Sequence, residues 1–245
     1  MAVSNGDVVV LAAVVGRAGE HVDADAARED AREPPRGHDE HPRGARRDDG
    51  LRRSLAATDA PTRHLAVAGI DLADEKDCAT LVARALERFG RVDGLATTVG
   101  GFAGAPVAQT DAELLLAMVR INAVTTLNIM RAVLPPMRAA GAGSVVVIGA
   151  ASARQASAGI AAYAAAKSAA LRMVESFADE LRPEGVRINA VLPGTIDTPQ
   201  NRAAMPGADH ATWVSPGQIA DVIAFLLSDR ATGVTGALIP VTGRG

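Results

Sequence analysis

The run Ser144-Val145-Val146-Val147-Ile148-Gly149 constrains the fold most. It is short, β-branched and apolar at consecutive positions, so it predicts a strand buried on both faces. Strands of this kind belong to parallel sheets covered by helices on either side. Similar runs recur along the chain at 7–16, 64–71, 92–99, 185–192 and 237–241. Between them lie segments with helical apolar spacing. One covers 75–89 and is stopped by Gly90; another is capped by Asp111, runs through Leu127 and is interrupted near its end by Pro135-Pro136. Two more lie at 163–181 and about 218–227. Strands alternating with helices predict an α/β fold, a doubly wound parallel sheet of the Rossmann-like type, in one domain over residues 1–245. Aromatic residues are only 2% of the chain and hydrophobic residues 48%, so the core must be built from Ala, Val, Leu and Ile.

One stretch breaks the pattern. From Asp23 to Arg53 the only large aliphatic residue is Leu51, and Arg, Asp, Glu, Pro, His and Gly follow one another without a period. Such composition buries too little apolar surface to offset the entropy of ordering it, so 23–53 is expected to be irregular or disordered. A segment translated out of frame from a GC-rich gene, from about 17 to 53, accounts for this bias. The pentapeptide Arg-Ile-Asn-Ala-Val occurs at 120–124 in a helical stretch and at 187–191 in a strand stretch, and is not read as a repeat.

The chemistry-bearing candidates follow the 144–149 strand. Tyr163 is the chain's only tyrosine, and Lys167 is one of two lysines. Four residues apart on a helix, they share a face. A free phenol titrates near about 10, and a nearby cation lowers that value, which suits the tyrosine to proton transfer. Ligands of open parallel sheets bind beyond the carboxyl ends of the strands. Asp71, Gly100, Ala150 and Pro193 all fall at predicted strand ends.

Bulk properties narrow the class further. A net charge of −3 argues against a nucleic-acid surface. No apolar run is read as long enough to cross a membrane, and the single cysteine, Cys78, fits a reducing compartment, so a cytoplasmic protein is expected. The histidines show no metal-ligand spacing beside paired acids, and no metal is expected.

Tyr163-x-x-x-Lys167, Asp71 at a strand end, Asn122 within a helix and Pro193-Gly194 together resemble the short-chain dehydrogenase/reductase family over about residues 55–245. The resemblance implies NAD or NADP as cofactor and a small-molecule substrate. It makes Tyr163 the proton donor. Lys167 would bind the nicotinamide ribose and lower the tyrosine's pKa, and Asn122 would hold a water of the proton relay. It places the adenine against Asp71 and Leu72, the cofactor close to Gly100, and the nicotinamide amide on Pro193, Gly194, Thr195, Ile196 and Thr198. It also implies a homodimer or homotetramer formed through the helices at 111–132 and 158–182.

Three positions depart from the family. The usual serine thirteen residues before the tyrosine is Ala150; Ser152, two residues on, replaces it only if the loop shifts. The usual Asn-Asn-Ala-Gly is Thr97-Thr98-Val99-Gly100. The glycine-rich turn after the first strand is replaced by Val15-Gly16-Arg17-Ala18-Gly19-Glu20-His21, with Glu20 where a pyrophosphate should bind. Gly100-Gly101-Phe102-Ala103-Gly104 and the stretch from Asp197 to Trp213 resemble the dihydropteridine reductase branch, which also lacks the serine. The leading expectation is an NAD(P)-dependent reductase of a small carbonyl or pterin-like substrate. The alternative is a relative that has lost nucleotide binding and serves as a folded scaffold or oligomer partner.

Overall fold

The computed structural model describes residues 10–13, 65, 67 and 69–244; the stretch 23–53 and the glycine-poor turn at 15–21 lie outside them. Among the described residues, five strands form one sheet: β1 (Val10–Ala13), β2 (Gly94–Thr97), β3 (Gly143–Ile148), β4 (Val186–Pro193) and β5 (Leu238–Val241). They pair in sequence order, and every pairing is parallel. Six α-helices among the described residues accompany them: α1 (Glu75–Phe89), α2 (Ala112–Val119), α3 (Thr125–Ala140), α4 (Ala161–Leu181), α5 (Pro199–Ala204) and α6 (Pro216–Leu227).

Both faces of the sheet are covered, which is why the strands lack an in–out alternation. Val145 and Val147 of β3 join Ile188, Ala190 and Leu192 of β4 in a core with α1, α3 and α4. Val146 and Val191 point the other way, into a core with Ile219 and Leu226 of α6. All three valines of β3 are 0–1% exposed.

The helix ends follow the local chemistry. The Asp74 carboxylate accepts hydrogen bonds from the backbone N–H groups of Lys76 (2.7 Å) and Asp77 (3.3 Å) and starts α1. Gly90, at φ 76°, ends it in the left-handed conformation that a residue with a side chain resists. Asp111 starts α2 by accepting from Leu114 N at 2.9 Å. Ser215 and Gln218 form a reciprocal capping box that starts α6 at Pro216.

Three expectations are corrected. Leu65, Val67 and the residues from Gly69 to Asp71 take no part in the sheet, and Gly69 turns at φ 74°, which breaks an extended run. Pro135 and Pro136 do not interrupt their helix: α3 continues through them to Ala140. Proline's fixed φ is helical, and what it forfeits is the N–H that the carbonyls of Arg131 and Ala132 would accept. Arg131 and Pro135 are exposed, so water reaches that side of the helix. Finally, the continuous helical rod Ala112–Ala140 is long and apolar enough to span a membrane, although no such run was expected. Half of its most apolar stretch is buried inside the fold, against α1, α4, β2 and β3, as befits a core helix.

Between α2 and α3 lies a π-helical turn, Arg120–Val124. The hydroxyls of the next two residues donate back into it, Thr125 to the Ile121 carbonyl (2.7 Å) and Thr126 to the Asn122 carbonyl (2.8 Å). A π-turn loosens the regular backbone ladder, and these two side chains supply donors to carbonyls inside it.

Candidate active site at the carboxyl edge of the sheet

The loops leaving β2, β3 and β4 meet at one edge of the sheet. Lys167, in the second turn of α4, is 6% exposed, and its ammonium donates to the carbonyl of Ile148, the last residue of β3, at 2.9 Å. Burial lowers its pKa from 10.5 to about 8. Asn122, 1% exposed, projects from the π-turn and clasps the loop after β2. Its Oδ1 accepts from Gly101 N (3.2 Å), and its Nδ2 donates to the carbonyls of Gly101 (3.0 Å) and Met118 (3.0 Å).

Gly100 is where these two side chains converge. A Cβ there would lie 2.7 Å from Asn122 Oδ1 and 3.0 Å from Lys167 Nζ. The glycine is therefore required by the chain's own polar groups, in addition to any cofactor that approaches its backbone. Tyr163 lies one helical turn before Lys167 and is half-buried. Its ring meets that of Phe102 edge-on, with centroids 4.9 Å apart and planes at 71°. Burial raises the phenol's pKa. The expected lowering by a neighbouring ammonium is thus not what this arrangement gives, since the Lys167 ammonium is engaged with the Ile148 carbonyl and both groups are desolvated.

Ala150 is 7% exposed and extended at φ −159°, and leads into the single turn Ala151–Ala153 that carries the half-buried Ser152. The loop after β4 is tied down from several directions. Pro193 is buried and pairs in register with Val241. Gly194 N donates to the Val241 carbonyl (3.1 Å), and a Cβ on Gly194 would press to 3.2 Å from Thr242 backbone atoms. The Thr195 carbonyl accepts from Val214 N (3.0 Å), and Ile196 forms a parallel bridge with Val214. Thr198 caps α5 by accepting from Asn201 N (3.2 Å), and Asn201 Nδ2 donates to the Ile196 carbonyl (2.8 Å).

Asp71 and Leu72 are held to the same helical rod. Asp71 Oδ1 accepts from Ala73 N (2.9 Å), and its Oδ2 lies 3.6 Å from the Arg120 guanidinium. Leu72 is 1% exposed, and its carbonyl accepts from Asn128 Nδ2 at 3.1 Å. The structure thus brings Asn122, Gly100 and Lys167 together, with Tyr163 one helical turn from Lys167.

Three features escaped the sequence reading. One is the π-turn itself, whose only trace is the Thr-Thr pair that follows it. Another is the bidentate ion pair in which Arg202 donates to Asp197 at 2.5 and 2.9 Å and holds the Asp197 carboxyl below its usual range. The third is Thr97 Oγ1, a buried hydroxyl at the end of β2 that has no hydrogen-bond partner among the described residues.

Known proteins match this arrangement. A family profile described as Enoyl-(Acyl carrier protein) reductase matches residues 45–243. An uncharacterized NAD-dependent oxidoreductase of Mycobacterium tuberculosis is 29% identical over 209 residues, covering 78% of this chain and 76% of that protein. The cis-4-hydroxycyclohexanecarboxylate dehydrogenase of Sinomonas cyclohexanicum is 32% identical over 183 residues, covering 71% of this chain and 73% of that protein. Among solved structures, a short-chain type dehydrogenase/reductase from Mycobacterium ulcerans superposes with a TM-score of 0.75 at 28% identity, covering 80% of this chain and 75% of that one. Levodione reductase superposes with a TM-score of 0.73 at 30% identity, covering 80% and 83%. With the helix-borne tyrosine and lysine, the clasping asparagine and the parallel sheet already in place, these matches establish that the chain belongs to the short-chain dehydrogenase/reductase family of oxidoreductases.

Proposed function

We propose that the protein is an NAD(P)-dependent oxidoreductase of a small carbonyl compound or the matching secondary alcohol, with Tyr163 as its proton donor and acceptor. One observation carries this reading: a nearly fully buried ammonium, Lys167, one helical turn from the chain's only tyrosine and against the same glycine as Asn122. A folded scaffold gains nothing from a desolvated cation, whereas perturbed, buried titratable groups at strand ends suit proton chemistry. Two relatives point to a secondary alcohol by their names, hydroxycyclohexanecarboxylate dehydrogenase and 2-(R)-hydroxypropyl-CoM dehydrogenase.

The described residues fit the nicotinamide half of the cofactor. Gly100 leaves its Cβ position empty between two polar side chains, and Lys167 supplies donors there. Lys167 and Gly100, and the stretch Pro193–Gly194–Thr195–Ile196 with Thr198, would hold it, with Asp71 and Leu72 toward the adenine. Bound there, a nicotinamide supplies or accepts hydride. The chain's own residues do the rest. The Tyr163 hydroxyl gives its proton to the substrate oxygen during reduction and takes one back during oxidation. Lys167, charged below about pH 8 and already donating to the Ile148 carbonyl, has further N–H donors to offer the cofactor beside Gly100. Asn122 fixes the loop that forms one wall. With Ala150 in place of a serine, Tyr163 is the principal donor to the substrate oxygen, an arrangement that also serves a pterin-like substrate and favours it as the second reading.

Tyr163→Phe tests the proposal. Turnover should fall about 10²–10⁴-fold, the usual worth of general acid catalysis, while NADH or NADPH still binds by fluorescence titration. Unchanged turnover removes Tyr163 from the mechanism. Ala150→Ser in the same series separates the substrates: a new donor should raise turnover of an ordinary ketone and leave a pterin's unchanged or lower.

A further inference from the structure

Phe102 is 50% exposed, yet the loop that carries it is gripped on both sides. Asn122 holds the backbone N–H and carbonyl of Gly101 at 3.2 and 3.0 Å. On the other side, a Cβ at Gly104 would lie 2.7 Å from the Gly159 carbonyl, so the loop sits flush against the turn that precedes α4. Ala103 and Ala105 point inward, at 3% and 7% exposure. The phenyl is therefore turned outward by a fixed backbone, and its one described ring partner is the tyrosine of the site.

We propose that Phe102 is the specificity-determining wall of the substrate site, and that the preferred substrate is a six-membered-ring ketone or its alcohol rather than an open-chain one. This rests on Tyr163 acting on the substrate oxygen. A substrate that offers its oxygen to the Tyr163 hydroxyl has its carbon frame beside the Phe102 ring. With the two ring planes at 71°, the site presents a corner of two aromatic surfaces. A compact ring fills such a corner, burying a face against one wall and an edge against the other. A flexible chain does so only by giving up rotamer freedom.

The test uses the full-length protein with NADH or NADPH, and cyclohexanone against 2-hexanone, which have the same number of carbons. The wild type should show a higher kcat/KM for cyclohexanone, and Phe102→Ala should cut the ring-to-chain ratio of kcat/KM at least about tenfold, with Phe102→Trp restoring it. Saturation-transfer NMR of the two ketones gives a readout independent of turnover: a preference for cyclohexanone that is lost in Phe102→Ala supports the assignment even if neither ketone is turned over, a failure that would count against the redox reading alone. An equal loss for both ketones, or no preference in either readout, overturns it. So does a change of oligomeric state in Phe102→Ala by light scattering, which would make the phenyl a subunit contact.

Discussion

The pentapeptide Arg-Ile-Asn-Ala-Val appears twice and folds in two ways. At 120–124 it is a π-helical turn; at 187–191 it lies within β4. The flanks decide. The first copy continues a helix capped by Asp111, with no breaker before it, whereas the second follows Gly185, whose φ of 76° ends one segment and releases the chain into a strand. The asparagine nonetheless does the same work in both. Asn122 accepts from and donates to Gly101; Asn189 accepts from Ala237 N (3.0 Å) and donates to the Val234 carbonyl (2.9 Å). Each is a buried amide clasping the backbone of a loop. What differs is the neighbourhood. Asn122 faces Gly100 with Lys167 beside it, and its loop presents Phe102; Asn189 fastens the segment that enters β5. Side-chain chemistry is portable between backbones, and location separates a candidate site residue from a purely structural one.

The largest effect should come from removing the cation that only the first copy faces. Burial puts the folded pKa of Lys167 near 8, below its ordinary 10.5, so the folded state holds the proton less well than the unfolded chain. Stability therefore rises with pH between about 8 and 10.5, and the cost of the buried charge is fully present below 8. Lys167→Met should be more stable than the wild type by up to about 3 kcal/mol at pH 7, an advantage that shrinks toward pH 10.5. Urea denaturation at pH 7 and pH 10 measures it; a pH-independent difference would mean the charge is not what sets the first copy apart.

Next come the two asparagines. Asn122→Ala and Asn189→Ala each strand a partly buried N–H and carbonyl, and each should cost about 1–3 kcal/mol of stability. Turnover should part company. Asn122→Ala frees the Gly101–Phe102 loop and should lower kcat about 10²-fold, the scale of a small misplacement at the reacting centre, while Asn189→Ala leaves the kcat of the folded fraction intact. Equal losses of kcat would erase the functional distinction. The smallest effect belongs to the hydroxyls behind the first copy. Thr126→Val removes the donor to the Asn122 carbonyl and should cost about 1 kcal/mol, with faster amide exchange confined to 120–126 and restored by Thr126→Ser.

Much of the fold was legible because the strands are buried on both faces and the helices begin and end on residues with specific backbone chemistry. Asp74, Gly90 and Asp111 can be read directly, and the bounds of α1 were read to the residue. Leu65, Val67 and Gly69 to Asp71 misled because apolar residues in sequence ensure neither burial nor pairing: none of these residues is buried, and Gly69 breaks the run. The prolines of α3 misled because their cost depends on which face of the helix they occupy. In the candidate site, Tyr163 and Lys167 stood out by their spacing, and Asn122 through the resemblance to the family. That Lys167 would turn to the Ile148 carbonyl, or that Gly100 would be hemmed in by the chain's own polar groups, depends on distances between elements that no local pattern encodes.

The π-turn also acts as a phase changer. One extra residue in a helical rod rotates everything after it by about 100° relative to an unbroken α-helix. Before the turn, Leu114 and Met118 face the alanines of α4 in one cluster; after it, Ile129, Met130, Val133 and Met137 face β2, β3 and α1 in another. A single 29-residue rod thereby serves two cores that an uninterrupted stripe would not align. Regularising 120–124 into α-helical turns without changing its length would bring the two stripes into step, and the rod could then satisfy only one core at a time.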